Sequence, residues 1–386
     1  MNAQPTQTKI LIVEDDPVVA HLYRRQLEDR GFTVHIASDG QAGFARLEHL
    51  NPDVVLLDLM LPRMNGVDLL KKIRAQPAFK QLPVVVLTNA YVPLMVRDAY
   101  DAGATAVHNK SSFGAQEMVG LLRECLPEST AAPAAAGTPS AGDQARQAFF
   151  AQMPADLAGL RALLRQLSQA MDDGSRLRAL DGLYRQVHAL TGKAALVGLQ
   201  PVAQVASAVE ALLKEILDHP AQATPSVLRT VVNAVDFLQE LAAPELGDAL
   251  NGEAPLQVLV VDDDLLSRRA LTLALEQSVL QAECVDQAAA ALDLLAQRTF
   301  DAIFLDVGMP SMDGFALCRN IRASGLNQYT PIVFVTNHTE FKDRVQSTLS
   351  GANDFVAKPF LFIEVAVKAL VFSLRSRLQN KACHAR

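Results

Sequence analysis

The chain has 386 residues, of which half are hydrophobic and one-fifth charged, so we expect about two to four ordinary globular domains. The formal net charge of -7 argues against broad nucleic-acid binding, which needs a basic surface to neutralise phosphates. The four cysteines lack the spacing of a zinc site or a redox dithiol. The polar N-terminus and the short apolar runs predict a cytoplasmic protein without membrane insertion.

The first segment alternates short apolar runs with stretches of helical periodicity. The runs that read as strands are Ile10–Val13, Thr33–Ile36, Val54–Leu57, Val84–Leu87 and Ala106–His108. The stretches between them, such as Gly40–Leu50 and Gly66–Ala75, are predicted to be helices. Because the apolar runs are continuous rather than alternating, their strands should be covered on both faces. This pattern is typical of a parallel, doubly wound α/β sheet.

The middle of the chain has a different composition. Glu128–Gly142 is rich in Ala, Pro, Ser and Thr and is predicted to be a flexible linker. From Asp143 to about Ala243, apolar residues recur at helical spacing, which predicts an all-α bundle of about four or five helices. We therefore place domains at residues 1–127, 143–245 and 256–386, with linkers at 128–142 and 246–255.

The last segment repeats the first at a constant offset of 248 residues. The matched polar pairs are Asp15 and Asp263, Asp58 and Asp306, Thr88 and Thr336, and Lys110 and Lys358. Each of these residues comes at the end of a strand-like run, and such agreement is improbable by chance. Acids that merely cap helices would explain one Asp, but not positions matched twice at one offset. The two ends of the chain are therefore predicted to be copies of one domain.

Both copies should carry an acidic site at one edge of the sheet, because parallel strands end together where open α/β folds bind ligands. In the last segment this edge would hold Asp262, Asp263 and Asp306 beside Thr336 and Lys358. Clustered carboxylates repel one another unless a cation lies among them, and Mg²⁺ suits oxygen ligands. The arrangement fits phosphoryl transfer to a carboxylate, with Asp306 as the nucleophile.

These segments resemble the receiver domain of response regulators. The last segment contains VVDDD, LDVGMPSMDG, VFVTN and DFVAKPF in the family's order, and the first contains IVEDD, LLDLMLPRMNG, VVLTN and NKSSF. The resemblance covers Lys9–Leu126 and Gln257–Leu378. It implies two flavodoxin-like, doubly wound domains, each with a five-stranded parallel sheet. It also implies that Asp58 and Asp306 accept phosphoryl groups.

The same resemblance assigns supporting roles around each acceptor. The implied Mg²⁺ ligands are Glu14, Asp15, Asp58 and Met60 in the first domain, and Asp262, Asp263, Asp306 and Gly308, by its backbone carbonyl, in the last. The residues implied to contact the phosphoryl group are Thr88, Lys110, Thr336 and Lys358.

Three positions distinguish these domains within the family. Phe355 occupies the family's aromatic switch position, whereas the first domain has Val107 there. Ser111 follows Lys110 in place of the usual Pro. A first domain that only binds partners is the alternative. The threonine of each domain is followed by Asn rather than Ala or Gly (Asn89 and Asn337), from which we expect slow acyl-phosphate hydrolysis.

The helical segment contains one histidine in a distinctive setting, VHALTGKAALVG. His188 lies beside the core stripe of its helix, and Gly192 lies one turn later on the same face. Glycine is costly inside a helix, but its missing side chain would let another active site approach the imidazole, a competent nucleophile. A lone helical His is usually a boundary residue. The whole pattern, however, resembles the histidine phosphotransfer (HPt) domain over Asp143–Ala243, which implies His188 as a phosphoacceptor.

We interpret the chain as a phosphorelay protein whose receiver aspartates exchange phosphoryl groups with an HPt histidine. No glycine-rich ATP-binding signature of P-loop or kinase type is found, so we expect neither autophosphorylation from ATP nor an enzyme of that kind. The expected partners are a sensor histidine kinase and other receiver or HPt proteins, without nucleic acid or a DNA-binding output domain. The sequence does not decide whether the receiver domains mediate a dimer. The alternatives are a phosphorylation-controlled binding adaptor and a phosphate sink for a histidine kinase.

Overall fold

The computed structural model describes residues 8–88, 98–109, 115–125, 140–243, 250, 254–276, 280–323, 325–336 and 351–384. It divides into two compact units, Met1–Glu210 and Ala211–Arg386. Within the described ranges, no helix has both the length and the apolar character needed to cross a membrane.

The first unit contains a five-stranded, wholly parallel sheet with the order β2-β1-β3-β4-β5. Its strands are β1 (Lys9–Val13), β2 (Thr33–Ala37), β3 (Val54–Leu57), β4 (Val84–Thr88) and β5 (Ala106–Asn109). The helices around it are α1 (Pro17–Glu28), α2 (Gly40–Leu50), α3 (Gly66–Ala75) and α4 (Ala115–Cys125). This strand order is that of the flavodoxin-like doubly wound fold, so the predicted fold class is confirmed.

Both faces of this sheet are buried, as the continuous apolar runs predict. Successive side chains of a strand point to opposite faces. Leu11 and Val13 therefore join a core built from α2 and α3, whereas Ile10 and Ile12 join a second core with α1 and α4. Burial on both faces fixes the strand register, because a shift by one residue would exchange the two sets.

Residues 140–243 form an all-α region, as predicted. Its helices are α5 (Ser140–Gln169), α6 (Asp173–Leu196), α7 (Gln200–Asp218) and α8 (Pro225–Glu240). Helix α5 begins inside the stretch predicted to be a linker, and residues 128–139 of that stretch lie outside the described residues. In the first unit, α6 packs against both α5 and α1, and the second contact brings it to the first sheet domain.

The second unit repeats the parallel sheet, with the order β10-β9-β8-β6-β7. Its strands are β6 (Gln257–Val261), β7 (Gln281–Val285), β8 (Ala302–Asp306), β9 (Ile332–Thr336) and β10 (Asp354–Ala357). Its helices are α9 (Leu265–Glu276), α10 (Ala288–Gln297), α11 (Gly314–Ala323) and α12 (Phe362–His384). Read in chain order, the topology equals that of the first sheet. Helix α8 packs against α12 within this unit.

Candidate functional site

The carboxyl ends of β1 and β3 bring the predicted acids of the first domain together. The ladder extends into the site, because the Glu14 amide donates to the Ala37 carbonyl and the Asp58 amide to the Val13 carbonyl, both at 3.0 Å. Glu14 and Asp58 are buried, and Asp15 is half-buried. The Met60 amide donates to Asp58 Oδ1 at 3.1 Å. The backbone therefore holds the Asp58 carboxylate at a defined place.

The other predicted residues of the first domain are only partly described. Thr88 ends β4 and is buried. Lys110, which was predicted to contact the phosphoryl group, lies outside the described residues, as do Asn89 and Ser111.

A glycine behind each predicted acceptor explains the recurring MNG and MDG segments. A Cβ atom on Gly66 would lie 2.3 Å from the Asp58 carbonyl oxygen, and one on Gly314 would lie 2.2 Å from that of Asp306. Such contacts are far inside van der Waals range, so only glycine lets the following helix start this close to the acceptor loop.

His188 of α6 lies directly against the acidic site of the first domain. Its Nε2 atom is 3.5 Å from Glu14 Oε1, 3.8 Å from Asp58 Oδ2 and 3.9 Å from Asp15 Oδ1. One ligand atom from each of these four residues falls within 4.8 Å of every other. The imidazole that was predicted to be open to another active site is buried, because the first sheet domain of the same chain covers it.

Glu210 of α7 holds the other ring nitrogen of His188. Glu210 Oε1 lies 2.7 Å from His188 Nδ1, and Glu210 Oε2 lies 3.1 Å from the Thr191 hydroxyl. With Glu210 as a carboxylate, which only accepts hydrogen bonds, this contact assigns the proton to Nδ1. Nε2 is thereby directed towards Asp58. We did not predict Glu210 from the sequence, although a lone acid in the apolar run VASAVEALL was a readable signal.

Gly192 makes the close approach of α6 to α1 possible. A Cβ atom on Gly192 would lie 2.5 Å from Cγ2 and 3.3 Å from Cγ1 of Val19, which is itself buried. One turn later, Leu196 joins the core formed by α1 and the first sheet. The gap that the sequence predicted beside the imidazole is therefore filled by the chain's own first sheet domain.

The second site has an ammonium between its acids. Lys358 Nζ donates to Asp262 Oδ2 at 2.8 Å and to Asp306 Oδ1 at 2.7 Å. Partial burial works to lower the pKa of Lys358, but hydrogen bonds and charge from the two aspartates outweigh it, and the pKa is raised. The Gly308 amide donates to Asp306 Oδ2 at 2.7 Å.

The remaining predicted residues border this second site. Asp263 is exposed, whereas Asp262 is buried and accepts from the Ser267 hydroxyl at 2.6 Å. Thr336 ends β9 and is buried, and its carbonyl accepts from the Lys358 amide at 2.8 Å. The predicted residues Asp262, Asp306, Thr336 and Lys358 thus meet at the carboxyl edge of the sheet.

The donor sets of both sites suit a hard divalent cation. Carboxylate and backbone carbonyl oxygens are the ligands that Mg²⁺ and Ca²⁺ prefer. In the first site, Glu14, Asp15 and Asp58 converge closely enough for one ion. In the second, the Lys358 ammonium compensates the charge of Asp262 and Asp306.

Comparison with known proteins finds response regulators among the similar sequences and structures. Response regulator MprA of Mycobacterium sp. (strain KMS) is 36% identical over 114 residues, which is 30% of this chain and 49% of the relative. MprA of Mycobacterium avium (strain 104) is 32% identical over 127 residues, or 33% of this chain and 55% of that protein. The chain therefore spans about half the length of the curated relatives that it matches. The structure of chemotaxis response regulator CheY4 of Vibrio cholerae is 28% identical, covers 31% of this chain and all of its own, and has a TM-score of 0.30.

Two family models account for the three regions of the chain. The response regulator receiver domain matches residues 10–123 and 258–369, which together exceed half of the chain. The Hpt domain matches residues 144–243, between them. These are phosphotransfer modules of two-component signalling. The chain belongs to the response regulator receiver family, with two receiver domains flanking an HPt domain.

Proposed function

We propose that the chain is a phosphorelay protein in which His188 and Asp58 exchange a phosphoryl group within one molecule, and in which Asp306 is a second acceptor. The observation that supports this most directly is the 3.8 Å separation of His188 Nε2 from Asp58 Oδ2. An imidazole and a carboxylate held this close convert transfer between two domains into a step that needs no diffusional encounter.

The transfer itself demands little covalent chemistry from the protein. The bond between phosphorus and Nε2 breaks while a bond between phosphorus and an Asp58 oxygen forms, and the reverse step restores the first bond. If Nδ1 keeps its proton throughout, the ring leaves as neutral imidazole and the negative charge of Asp58 is carried into the acyl phosphate. Glu210, 2.7 Å from Nδ1, holds that proton and stabilises the positive ring of the phosphorylated state. Positioning and charge compensation therefore supply the catalysis.

We propose Mg²⁺ as the cofactor of both receivers. Glu14, Asp15, Asp58 and the Met60 carbonyl would hold it in the first domain, and Asp262, Asp263, Asp306 and the Gly308 carbonyl in the last. When bound, the ion compensates the charge of the carboxylates and of the phosphoryl oxygens. Thr88, Lys110, Thr336 and Lys358 would contact the phosphoryl group.

The proposal extends to domain limits and partners. We retain domains at residues 1–127, 143–245 and 256–386, in a cytoplasmic protein that binds neither nucleic acid nor membranes. Since the sequence offers no ATP-binding signature, the phosphoryl groups should come from a sensor histidine kinase, and other receiver or HPt proteins could receive them.

One observation favours the adaptor as a second candidate function. The Phe355 ring of β10 lies against Arg229 of α8, with 5.0 Å between the guanidinium carbon and the ring centroid. A receiver face already in contact with a helix outside its own fold is suited to control binding. The adaptor and the relay differ in whether His188 carries phosphate.

Mapping the label tests the relay. The full chain would receive acetyl phosphate and Mg²⁺, and base-labile acyl phosphate would be separated from base-stable phosphohistidine. We expect His188 to be labelled in the wild type and in Asp306→Asn, and to lose most of its label in Asp58→Asn. In His188→Gln, label should stay on Asp58 and Asp306. An unlabelled His188 beside a fully labelled Asp58 would refute the relay and favour the adaptor or the sink.

A further inference from the structure

Helix α8 contacts the second receiver domain through polar and aromatic side chains at both of its ends. Near its start, the Ser226 hydroxyl donates to Glu364 Oε1 at 2.6 Å, and the Thr230 hydroxyl lies 3.3 Å from the same oxygen. Near its end, Glu240 accepts two hydrogen bonds from Arg375, at 2.7 and 3.2 Å. The guanidinium carbon of Arg375 also lies 5.0 Å from the centroid of the Phe237 ring of α8.

Helix α8 also contacts β10, the strand that runs into Lys358. Arg229 of α8 stands over the ring of Phe355, and among the described residues its buried Nη2 atom has no hydrogen-bond partner. For a buried guanidinium nitrogen without a hydrogen bond, the face of an aromatic ring supplies a favourable contact. Any displacement of Phe355 therefore weakens the interaction between its ring and the Arg229 guanidinium.

Strand β10 connects this contact to Asp306. Phe355 and Asp354 lie on β10, and the strand leads directly into Lys358, whose ammonium bridges Asp262 and Asp306. Asp306 uses both carboxylate oxygens in hydrogen bonds, Oδ1 with Lys358 and Oδ2 with the Gly308 amide. Phosphorylation of either oxygen removes the negative charge of the carboxylate and so weakens both of these hydrogen bonds. The added charge also gives Lys358 a new partner.

A second connection runs through buried charges. The Asp354 carboxylate is paired with Lys368, whose ammonium is 3.9 Å from Glu364 Oε1, the oxygen that accepts from Ser226. Lys368 and Glu364 are almost fully buried. Because a buried charge that loses a partner is costly, the α8 contacts are sensitive to small shifts at the start of β10.

We propose that the β10–α12 face of the second receiver is a docking surface for this chain's own helix α8, and that phosphorylation of Asp306 loosens it. The inference rests on the proposed function in one respect, that Asp306 accepts a phosphoryl group. In the phosphorylation step, the bond between phosphorus and the acetate oxygen of acetyl phosphate breaks. A bond between phosphorus and an Asp306 oxygen forms, and acetate leaves with the electron pair. Helix α8 thereby responds to the phosphorylation state of Asp306.

Hydrogen exchange of the full chain, followed by mass spectrometry, tests this inference. Acetyl phosphate and Mg²⁺ would be added to the wild type, Asp58→Asn and Asp306→Asn, with phosphorylation of each acceptor measured in the same samples. We expect exchange within Pro225–Glu240 to rise about fivefold or more in the wild type and in Asp58→Asn, and to stay unchanged in Asp306→Asn.

A phosphate-free arm tests the contact itself. Arg229→Ala should raise exchange in α8 without any phosphodonor, whereas Arg269→Ala, which removes an exposed arginine from α9 of the same receiver, should not. If Asp306 is phosphorylated and exchange in α8 stays at its basal rate, the inference is overturned and the proposed function stands. If Asp306 takes no label, both fail for this domain.

Discussion

The substitution Gly192→Ala should have opposite effects on two quantities. It should stabilise the helix of the HPt domain and hinder the close approach of that helix to the first receiver. The added Cβ atom would lie 2.5 Å from Val19 Cγ2, and Val19 is a buried, β-branched residue with few rotamers to move into. Overpacking of this kind costs about 1–3 kcal/mol. The same change favours the isolated helix by about 1 kcal/mol, since alanine replaces glycine in a helix interior. The two effects have opposite signs and are measured separately.

The expected change in the transfer rate follows from the free-energy cost of packing α6 against α1. At 1.36 kcal/mol per factor of ten, a cost of about 1–3 kcal/mol slows transfer between Asp58 and His188 by about 5- to 150-fold. The assay is the rate at which label passes from Asp58 to His188 after a pulse of acetyl phosphate, alongside thermal unfolding of the chain. Gly120→Ala is the matched control, because Gly120 is exposed on α4 and a Cβ atom there meets nothing within 4 Å.

A second substitution that makes room for the added Cβ atom completes the test. Val19→Ala removes both methyl groups that the new Cβ atom would strike, so the double variant should recover part of the lost rate. A Gly192→Ala chain that transfers label as fast as Gly120→Ala would show that the approach of α6 to α1 is not the geometry of transfer.

Two further results are expected from the site geometry. Glu210→Gln should slow phosphorylation of His188 by about tenfold, because the Nδ1 proton loses its charged acceptor. Glu215→Gln, on the same helix, is the control and should leave the labelling rate of His188 unchanged. Equal labelling rates in the two variants would contradict the role of Glu210 in positioning the imidazole. The raised pKa of Lys358 means that its contribution to stability is fully present below the ordinary value of 10.5 and is lost as pH rises through the higher folded-state value. The thermal unfolding temperature of the wild type should therefore fall as pH rises above 10.5, and this fall should be absent from Lys358→Met. If the fall in the wild type is centred at a pH below 10.5, the pairing of Lys358 with Asp262 and Asp306 is contradicted.

The sequence was sufficient to predict the two sheets because their strands are buried on both faces. Runs such as Val54–Leu57 and Val84–Leu87 carry that burial in their composition, and both form strands over those residues. The acids at their ends could be located for the same reason, since the end of a parallel strand defines the edge where its next residue lies. The offset of 248 residues then indicated which acids belong together.

The sequence could not predict what His188 faces. Its neighbour Gly192 indicated a close approach, but Val19 is far away in the chain, and nothing in helical periodicity identifies the partner surface. Glu210 was missed because an acid in an apolar helix gives no information about which polar atom it meets. The contact between Arg229 and Phe355 was equally hidden, since both residues are unremarkable within their own elements.

The dependence of the transfer rate on protein concentration tests the central claim most directly. An Asp306→Asn chain, labelled briefly on Asp58, would be followed over a wide dilution series as phosphate passes to His188. Exchange within one molecule predicts a first-order rate that is the same at every dilution, and little transfer from a His188→Gln chain to an Asp58→Asn chain. A rate that falls in proportion to dilution would contradict the account, because His188 would then receive its phosphate from another molecule.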